Sequence, residues 1–252
     1  MWRFLLTEPA GAAANMALDA GLLDRAATTG ESVLRVYSWA VPTLSFGRHE
    51  SVVGLFRADL LAAAGIAAVR RPTGGRVLLH HHEATYSVAA PVRDREPLPV
   101  TYGRINTLLV RALGRLGVDA SVAPRSPVRR PGGAACFAEP NAGELVASGR
   151  KLVGSAQFRD RGGFVQHGSV LLDDDQARIA TLAVRPMTPS TPAAALNRLL
   201  DRTLSVAEVA AAMRWALEQD VGRVEPLEPD EAWPWAAPHL AHYESTEWTW
   251  RR

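Results

Sequence analysis

Cysteine is almost absent from this 252-residue chain, which contains only Cys136. One cysteine excludes an internal disulfide framework and suits a reducing compartment, so we expect a cytoplasmic protein. Long apolar runs are also lacking. No stretch approaches the ~20 residues of a membrane span, and Thr7, Glu8 and Pro9 interrupt the N-terminal segment where a signal peptide would lie. The sequence therefore predicts neither secretion nor a membrane partner.

Lysine is as rare as cysteine in this chain. Lys151 is the only one, and the other 27 of the 28 cationic side chains are arginine. An arginine-biased composition could leave one surface lysine without a role. A lysine, however, is a compact donor whose pKa moves readily on burial, whereas a guanidinium holds its proton under ordinary conditions. The count alone leaves both interpretations open.

A strong excess of positive charge is missing too, because the formal net charge is only +2. This balance is not the signature of a nucleic-acid-binding protein, and we expect no nucleic-acid partner. One Pro- and Gly-rich segment, residues 125–133, is locally basic. It could contact an acidic partner, but such runs are more typical of a solvated loop.

Hydrophobic residues make up 47% of the chain, enough for one large domain over residues 1–252. Apolar spacing predicts helices, and β-rich runs bounded by turn residues predict strands gathered in the middle of the chain. This pattern favours an α+β fold in which helices cover a sheet. The predicted helices are 15–26, 56–65, 101–117 and 205–222, and the predicted strands lie in 33–39, 43–48, 66–91 and 143–173.

A paired-glycine segment, "RRPTGGRVLLHH" at 70–81, is the first chemical candidate. Paired glycines let a backbone approach a ligand closely, and Arg71 and Arg76 can complement a phosphate or carboxylate. The segment has neither the Lys-Ser/Thr ending of a P-loop nor the spacing of a dinucleotide-binding turn. By spacing alone, a plain hairpin turn is an equal interpretation.

Three consecutive histidines, His80 to His82, resemble a metal site at first sight. Consecutive strand residues point to opposite faces, which leaves at most His80 and His82 on one side. Zinc usually needs three or four convergent ligands, and Cys136 and His167 lie at no recognised spacing from these residues. We therefore predict no metal site.

Cys136 lies in "PGGAACFAEP", within a Pro- and Gly-rich stretch that predicts a loop. A thiolate is a strong nucleophile toward thioesters, and a nearby cation lowers a thiol pKa into the useful range. The alternative is a buried, inert cysteine, which is the commoner fate of a single cysteine.

Three longer segments, in this order, resemble the biotin/lipoate A/B protein ligase family: "RRPTGGRVLLHHHEATYSVA", "CFAEPNAGELVASGRKLVGSAQ" and "FVQHGSVLLD". Supporting matches are "NMALDAGLLD", "LRVYSWAVPTLSFGRHE", "YGRINTLLVRALGRLGV" and "YESTEWTW", so the resemblance spans most of the chain. The chain is most similar to the cysteine-dependent octanoyltransferase branch. That branch carries the first acyl chain of lipoate synthesis onto lipoyl-domain lysines.

The resemblance implies a mixed β-sheet flanked by helices, as in the catalytic domains of class II aminoacyl-tRNA synthetases and biotin protein ligases. It implies an apolar acyl tunnel beside the glycine turn, Cys136 as nucleophile and Lys151 against the acyl carbonyl, with no cofactor. The donor would be octanoyl-acyl carrier protein, and the acceptor a lipoyl domain or the glycine-cleavage carrier protein. The implied substrate-binding residues are Arg71, Thr73, Gly74, Gly75, Arg76, Val77, Leu78, Leu79, His80, Gly154, Ser155, Ala156, His167 and Gly168.

Two other functions stay open at this point. An ATP-dependent lipoate–protein ligase would use Arg71, the glycine turn and Lys151 to hold an acyl-adenylate, with Cys136 incidental. A non-catalytic acyl- or lipoyl-domain-binding protein would keep the pocket without turnover. The chain also departs from the family pattern at His81, where an acidic residue is frequent, at Glu50, where a glutamine is common, and in the segment "EPNAGE".

Overall fold

The computed structural model describes residues 1–92, 96–124, 143–160 and 162–251. Its strands are β1 (Trp2–Leu6), β2 (Ser32–Tyr37), β3 (Thr43–Phe46), β4 (Ala67–Arg70), β5 (Leu78–His80), β6 (Glu83–Pro91), β7 (Ser121–Val122), β8 (Leu145–Ala147), β9 (Arg150–Asp160), β10 (Gly163–Leu171) and β11 (Glu225–Pro226). Its helices are α1 (Ala12–Thr29), α2 (Ala58–Ala63), α3 (Leu98–Arg115), α4 (Arg178–Leu182), α5 (Leu196–Leu200), α6 (Val206–Val221), α7 (Pro229–Glu244) and α8 (Thr246–Trp250).

Within the described ranges, the strands form two sheets. The larger has eight strands in the order β11-β1-β2-β6-β10-β9-β8-β7, and the smaller has the order β4-β3-β5. Strand β1 pairs in parallel with β2 and β11, whereas β6, β10, β9, β8 and β7 continue the sheet in antiparallel pairs. The mixed sheet expected from the sequence is therefore confirmed.

Both faces of the large sheet are buried, as strand β2 illustrates. Leu34 and Val36 point into a core shared with helices α3 and α6, and Val33 and Tyr37 point into a core shared with α1 and α7. Strands covered on both faces are apolar in nearly continuous runs rather than in alternation. The small sheet packs its own cluster, which includes Leu44 and Phe46, against α2 and α4.

The two helices with the clearest sequence signals, predicted over 101–117 and 205–222, form within three residues of those bounds. In α3 the apolar stripe is buried as far as Leu113, and Leu116, just past the helix end, is half-buried. Helix α6 begins after Ser205, whose side chain accepts from the Glu208 N–H while the Glu208 carboxylate accepts from the Ser205 N–H. These reciprocal bonds form a capping box, which the Ser-x-x-Glu spacing of Ser205 and Glu208 predicts. No helix of the described chain is both long enough and apolar enough to cross a membrane.

Candidate active site

The glycine turn, residues 71–77, joins β4 to β5 and packs against Gly47, just after the end of β3. Gly75 has φ of +96°, in the left-handed region that favours glycine. Gly47 lies directly beneath it, because a Cβ at Gly47 would come within 1.9 Å of the Gly75 carbonyl oxygen. The turn thus rests on backbone, and both positions require glycine.

Arg71 is buried, and its guanidinium bonds both the turn and strand β3. Its guanidinium donates to the carbonyl oxygens of Gly74 (3.0 Å), Arg76 (2.7 Å) and Ser45 (2.9 Å). These contacts give Arg71 a part in shaping the turn. That Arg71 also complements an anionic group stays a prediction.

The Glu50 carboxylate bonds the backbone at the end of the glycine turn and beneath it. One carboxylate oxygen accepts from the Gly47 N–H at 3.0 Å, and the second accepts from the Val77 N–H at 2.9 Å. A carboxylate supplies two acceptor oxygens, whereas a glutamine amide supplies one. The glutamate that departs from the family pattern therefore satisfies two backbone donors here.

A buried polar chain links the turn to the centre of the large sheet. His167 on β10 lies 2.6 Å from the Thr73 hydroxyl through Nε2 and 3.0 Å from the Asp19 carboxylate through Nδ1. Asp19, on α1, also accepts from Arg35, Tyr37 and Ser87. Thr73 and His167, both expected to be site residues, are therefore in direct contact.

The protonation states in this chain follow from its pKa shifts. Burial alone would raise the pKa of Asp19, but the hydrogen bond from His167 and the charge of Arg35 outweigh it, and the net pKa is lowered. Burial lowers the pKa of His167, although Asp19 opposes the shift. An ionised Asp19 only accepts, so Nδ1 of a neutral His167 donates to it and Nε2 accepts from the Thr73 hydroxyl.

His80, at the end of β5, belongs to a second buried network. Its Nε2 lies 2.7 Å from the Ser45 hydroxyl, and its Nδ1 lies 2.7 Å from the Glu83 carboxylate. The Trp39 ring stacks on the imidazole with centroids 4.1 Å apart. Because Ser45 also accepts from Arg71, this network joins His80 to the glycine turn.

Lys151 is buried near the start of β9, where the sequence predicts a strand. Its Nζ donates to the Glu144 carboxylate at 2.7 Å, and the two side chains are only 1% and 7% exposed. The interpretation of Lys151 as a chance surface residue is therefore wrong. A buried charge requires compensation, which Glu144 supplies.

The remaining candidates on the large sheet lie on the β9–β10 pair. Across these strands Gly154, Ser155 and Ala156 face Ser169, Gly168 and His167 in register. Ser155 also lies 2.7 Å from the Tyr86 hydroxyl. Burial raises the pKa of Tyr86 to about 12, against the lowering effect of its hydrogen bonds, so this hydroxyl stays protonated near neutral pH.

Two hydrogen-bonded contacts join candidate residues of the glycine turn to other candidates. Thr73 meets His167 directly, and Arg71 meets His80 through Ser45. Val77, Leu78 and Leu79 are buried, while Gly74 and Arg76 are half-buried and Gly75 is exposed. Cys136, together with the basic segment 125–133, lies outside the described residues.

Several site residues escaped the sequence analysis. Asp19 had a signal that could have been used, because it is a charge in an apolar stretch of a predicted helix. Ser45, Glu83 and Glu144 gave no comparable signal. Arg70, in the paired-glycine motif, has a buried guanidinium that donates to the carbonyl oxygens of Trp248, Thr249 and Arg251 at 3.1 Å. These bonds join the motif to residues 248–251.

The prediction that His80, His81 and His82 are consecutive strand residues, with His80 and His82 on one side, is wrong. In the structure β5 ends at His80, and His81 and His82 form the turn before β6, with ring centroids 3.6 Å apart. Strand alternation therefore does not apply to this pair.

Gly75→Ala should lower the free energy of unfolding by about 2 kcal/mol, the usual scale for a non-glycine residue at an unfavourable backbone angle. Its Cβ would also come within 2.7 Å of an Arg71 nitrogen. Gly74→Ala is the matched control, because a Cβ there meets nothing within 4 Å. Urea unfolding of both variants measures the difference, and equal stabilities would show that the turn tolerates a side chain at either glycine.

A family model of the lipoyl protein ligase A/B catalytic domain matches residues 11–218 of the chain. Among curated proteins, Octanoyltransferase LipM of Kyrpidia tusciae is 38% identical over 274 residues, covering 100% of this chain and 99% of that protein. Octanoyltransferase LipM of Bacillus subtilis is 34% identical, with 100% and 98% covered.

Among solved structures, a lipoate-protein ligase A bound with ATP superposes with a TM-score of 0.81 at 20% identity, covering 98% of each chain. The biotin protein ligase of Leishmania major superposes with a TM-score of 0.50 at 13% identity, covering 97% of this chain and 82% of that one. At these identities the likeness shows the fold alone, and that fold is the one expected from the sequence. The chain belongs to the lipoyl protein ligase A/B catalytic domain family.

Proposed function

We propose that this protein is an octanoyltransferase of lipoate biosynthesis, acting in the cytoplasm. It moves an octanoyl group from the thioester of an acyl carrier protein to a lysine of a lipoyl domain. The observation that carries the proposal is the full-length similarity to LipM octanoyltransferases. A buried lysine paired with a carboxylate, in an otherwise lysine-free chain, supports it from the structure.

The reaction has two acyl transfers. The Cys136 thiolate attacks the carbonyl carbon of the octanoyl thioester, the bond to the carrier sulfur breaks, and the carrier leaves as a thiolate that takes up a proton. The lysine amine of the lipoyl domain then attacks the acyl-enzyme. Cys136 leaves as a thiolate, and the new amide loses a proton. Thioester exchange is nearly balanced and amide formation is downhill, so no nucleotide is consumed.

Lys151 stabilises the oxyanion that forms at each attack. Its ammonium carries three N–H donors, and the bond to Glu144 orients the group within the buried site. We propose that the same ammonium donates to the acyl carbonyl oxygen. A well-placed donor of this kind contributes on the order of 3 kcal/mol to transition-state stabilisation.

The glycine turn and the β9–β10 pair form the substrate site in this proposal. Gly74, Gly75 and Arg76 with the following strand Val77–Leu79 line the acyl or donor side. The hydrogen bond between Thr73 and His167 positions the turn relative to the large sheet. Because these contacts lie among buried side chains, the turn is held in place before substrate arrives.

Transfer without ATP tests this proposal. Octanoyl-acyl carrier protein and a lipoyl domain are mixed with the protein, and octanoylation of the domain is followed by mass spectrometry. We expect transfer in the absence of nucleotide, and none to a lipoyl domain whose acceptor lysine is replaced by arginine. Transfer that requires ATP and free octanoate would favour the ligase, and tight binding of either substrate without transfer would favour the binding protein.

A further inference from the structure

A cluster of metal-binding side chains lies at the β5–β6 turn, outside the proposed catalytic machinery. His81 and His82 form the turn, and Asp175 follows β10. One ligand atom from each residue can be chosen so that all three lie within 4.8 Å of one another. We propose that these residues bind a divalent transition-metal ion of the zinc class.

The spacing suits such an ion after small side-chain rotations. Two ligand atoms about 2.1 Å from a tetrahedral metal lie roughly 3.4 Å apart. The His81 Nδ1 is already 2.8 Å from an Asp175 carboxylate oxygen, and the centroids of the His81 and His82 rings are 3.6 Å apart. Two imidazoles and one carboxylate favour zinc, cobalt, nickel or copper over magnesium or calcium, which prefer oxygen ligands.

One carboxylate oxygen of Asp175 is buried without a hydrogen-bond partner. The Asp175 Oδ2 interacts with His81 and, at 3.2 Å, with Arg178, whose guanidinium also lies 3.4 Å from the His81 Nδ1. The oxygen without a partner is the buried Oδ1. A buried acceptor without a partner is costly, and a metal ion would satisfy it. The Arg178 side chain is 45% exposed, so it can swing into solvent when a cation binds.

The backbone on both sides of the cluster is fixed. The N–H groups of Leu172 and Asp173 both donate to the His82 carbonyl oxygen, at 2.9 and 3.1 Å. The buried Gln176 side chain bonds the N–H and C=O of Leu79, at 3.2 and 2.6 Å. Little backbone entropy therefore remains to be lost when the ion binds, and the bound ion would hold the β5–β6 turn to the segment after β10.

Zinc titration of the full-length, untagged protein tests the site. Calorimetry is performed on Cys136→Ser, which removes the only thiol in the chain and with it the strongest competing ligand. We expect one zinc ion per chain and a higher melting temperature in zinc. His82→Ala and Asp175→Asn should each weaken binding at least tenfold. Cobalt should show visible d–d absorption that the same variants lose, and magnesium should produce no heat.

His239→Ala is the matched control, because His239 is a partly exposed histidine paired with a carboxylate, Asp24, on the α1–α7 side of the protein. Its affinity for zinc should equal that of the parent. Equal affinity in His82→Ala and Asp175→Asn would overturn the assignment, as would no binding up to about 1 mM zinc. Neither result bears on octanoyl transfer, so the proposed function stands or falls separately.

Discussion

Lys151→Arg should slow the acylation of Cys136 about a hundredfold while leaving the protein folded. The substitution keeps the positive charge and can keep the ion pair with Glu144, so the buried carboxylate is not left alone. It replaces a compact ammonium with a wider planar fork, and the donor moves away from the acyl carbonyl. A displacement of about 1 Å at a reacting centre can cost a hundredfold in rate.

The measurement is single-turnover acylation by octanoyl-acyl carrier protein, with thermal unfolding of the same sample. Arg150→Lys is the matched control, because Arg150 is the exposed neighbour of Lys151 on the same strand. Replacing the arginine at position 150 by lysine should leave the acylation rate unchanged. A wild-type rate in Lys151→Arg would mean that Lys151 only neutralises Glu144 and has no part in the chemistry.

The buried ion pair between Lys151 and Glu144 bears on why this position holds a lysine rather than an arginine. A pair buried to this extent is expensive to desolvate, and replacing such pairs with apolar residues is often neutral or stabilising. Stability alone therefore does not account for Lys151 and Glu144. Arginine could also serve as the partner of Glu144, as Arg35 does for the equally buried Asp19. We therefore propose that a reaction that needs an ammonium accounts for the lysine at this position.

Elements with local signals were predictable from the sequence. The turns at Ser148-Gly149 and Gly162-Gly163 carry such a signal, because glycine favours the positive φ that Gly149 and Gly162 adopt. Helices α3 and α6 carry an apolar stripe and a capping box. In each case a few neighbouring residues determine the structure.

Helix α7 shows where local signals fail. It runs from Pro229 to Glu244 although Pro234 and Pro238 lie inside it, each removing a backbone donor. Its buried Ala232, Ala236 and Tyr243 pack in the core shared with α1. Tertiary packing thus outweighs the cost of two prolines, and a single-sequence pattern does not contain that information. The expectation of one domain over residues 1–252 stays a prediction.

The site was only partly predictable for the same reason. Motif recognition found Arg71, Thr73 and His167, but their partners are distant in sequence. Asp19 and His167 are separated by 148 positions, and Thr73 and His167 by 94. Pairing at that range follows from the sheet order, which no local pattern gives. Likewise, strand alternation does not apply to His81 and His82, because they lie in a turn rather than in a strand.

Cys136→Ala should abolish octanoyl transfer, which is the largest effect that the proposed mechanism predicts. The chain has no second thiol that could replace it, and a serine hydroxyl would be a far weaker nucleophile or would form an ester too stable for onward transfer. Cys136 lies in a predicted loop, so the substitution should change the melting temperature little. A variant that transfers at the wild-type rate would favour a mechanism without an acyl-enzyme.

The most direct measurement is the intact mass of the wild-type protein after mixing with octanoyl-acyl carrier protein alone, without ATP or a lipoyl domain. The mechanism predicts the gain of one octanoyl group, its removal by hydroxylamine as expected of a thioester, and its transfer when a lipoyl domain is added. Cys136→Ala should remain unmodified. An unmodified wild-type protein that nevertheless transfers octanoate, or the same adduct on Cys136→Ala, would contradict the acyl-enzyme.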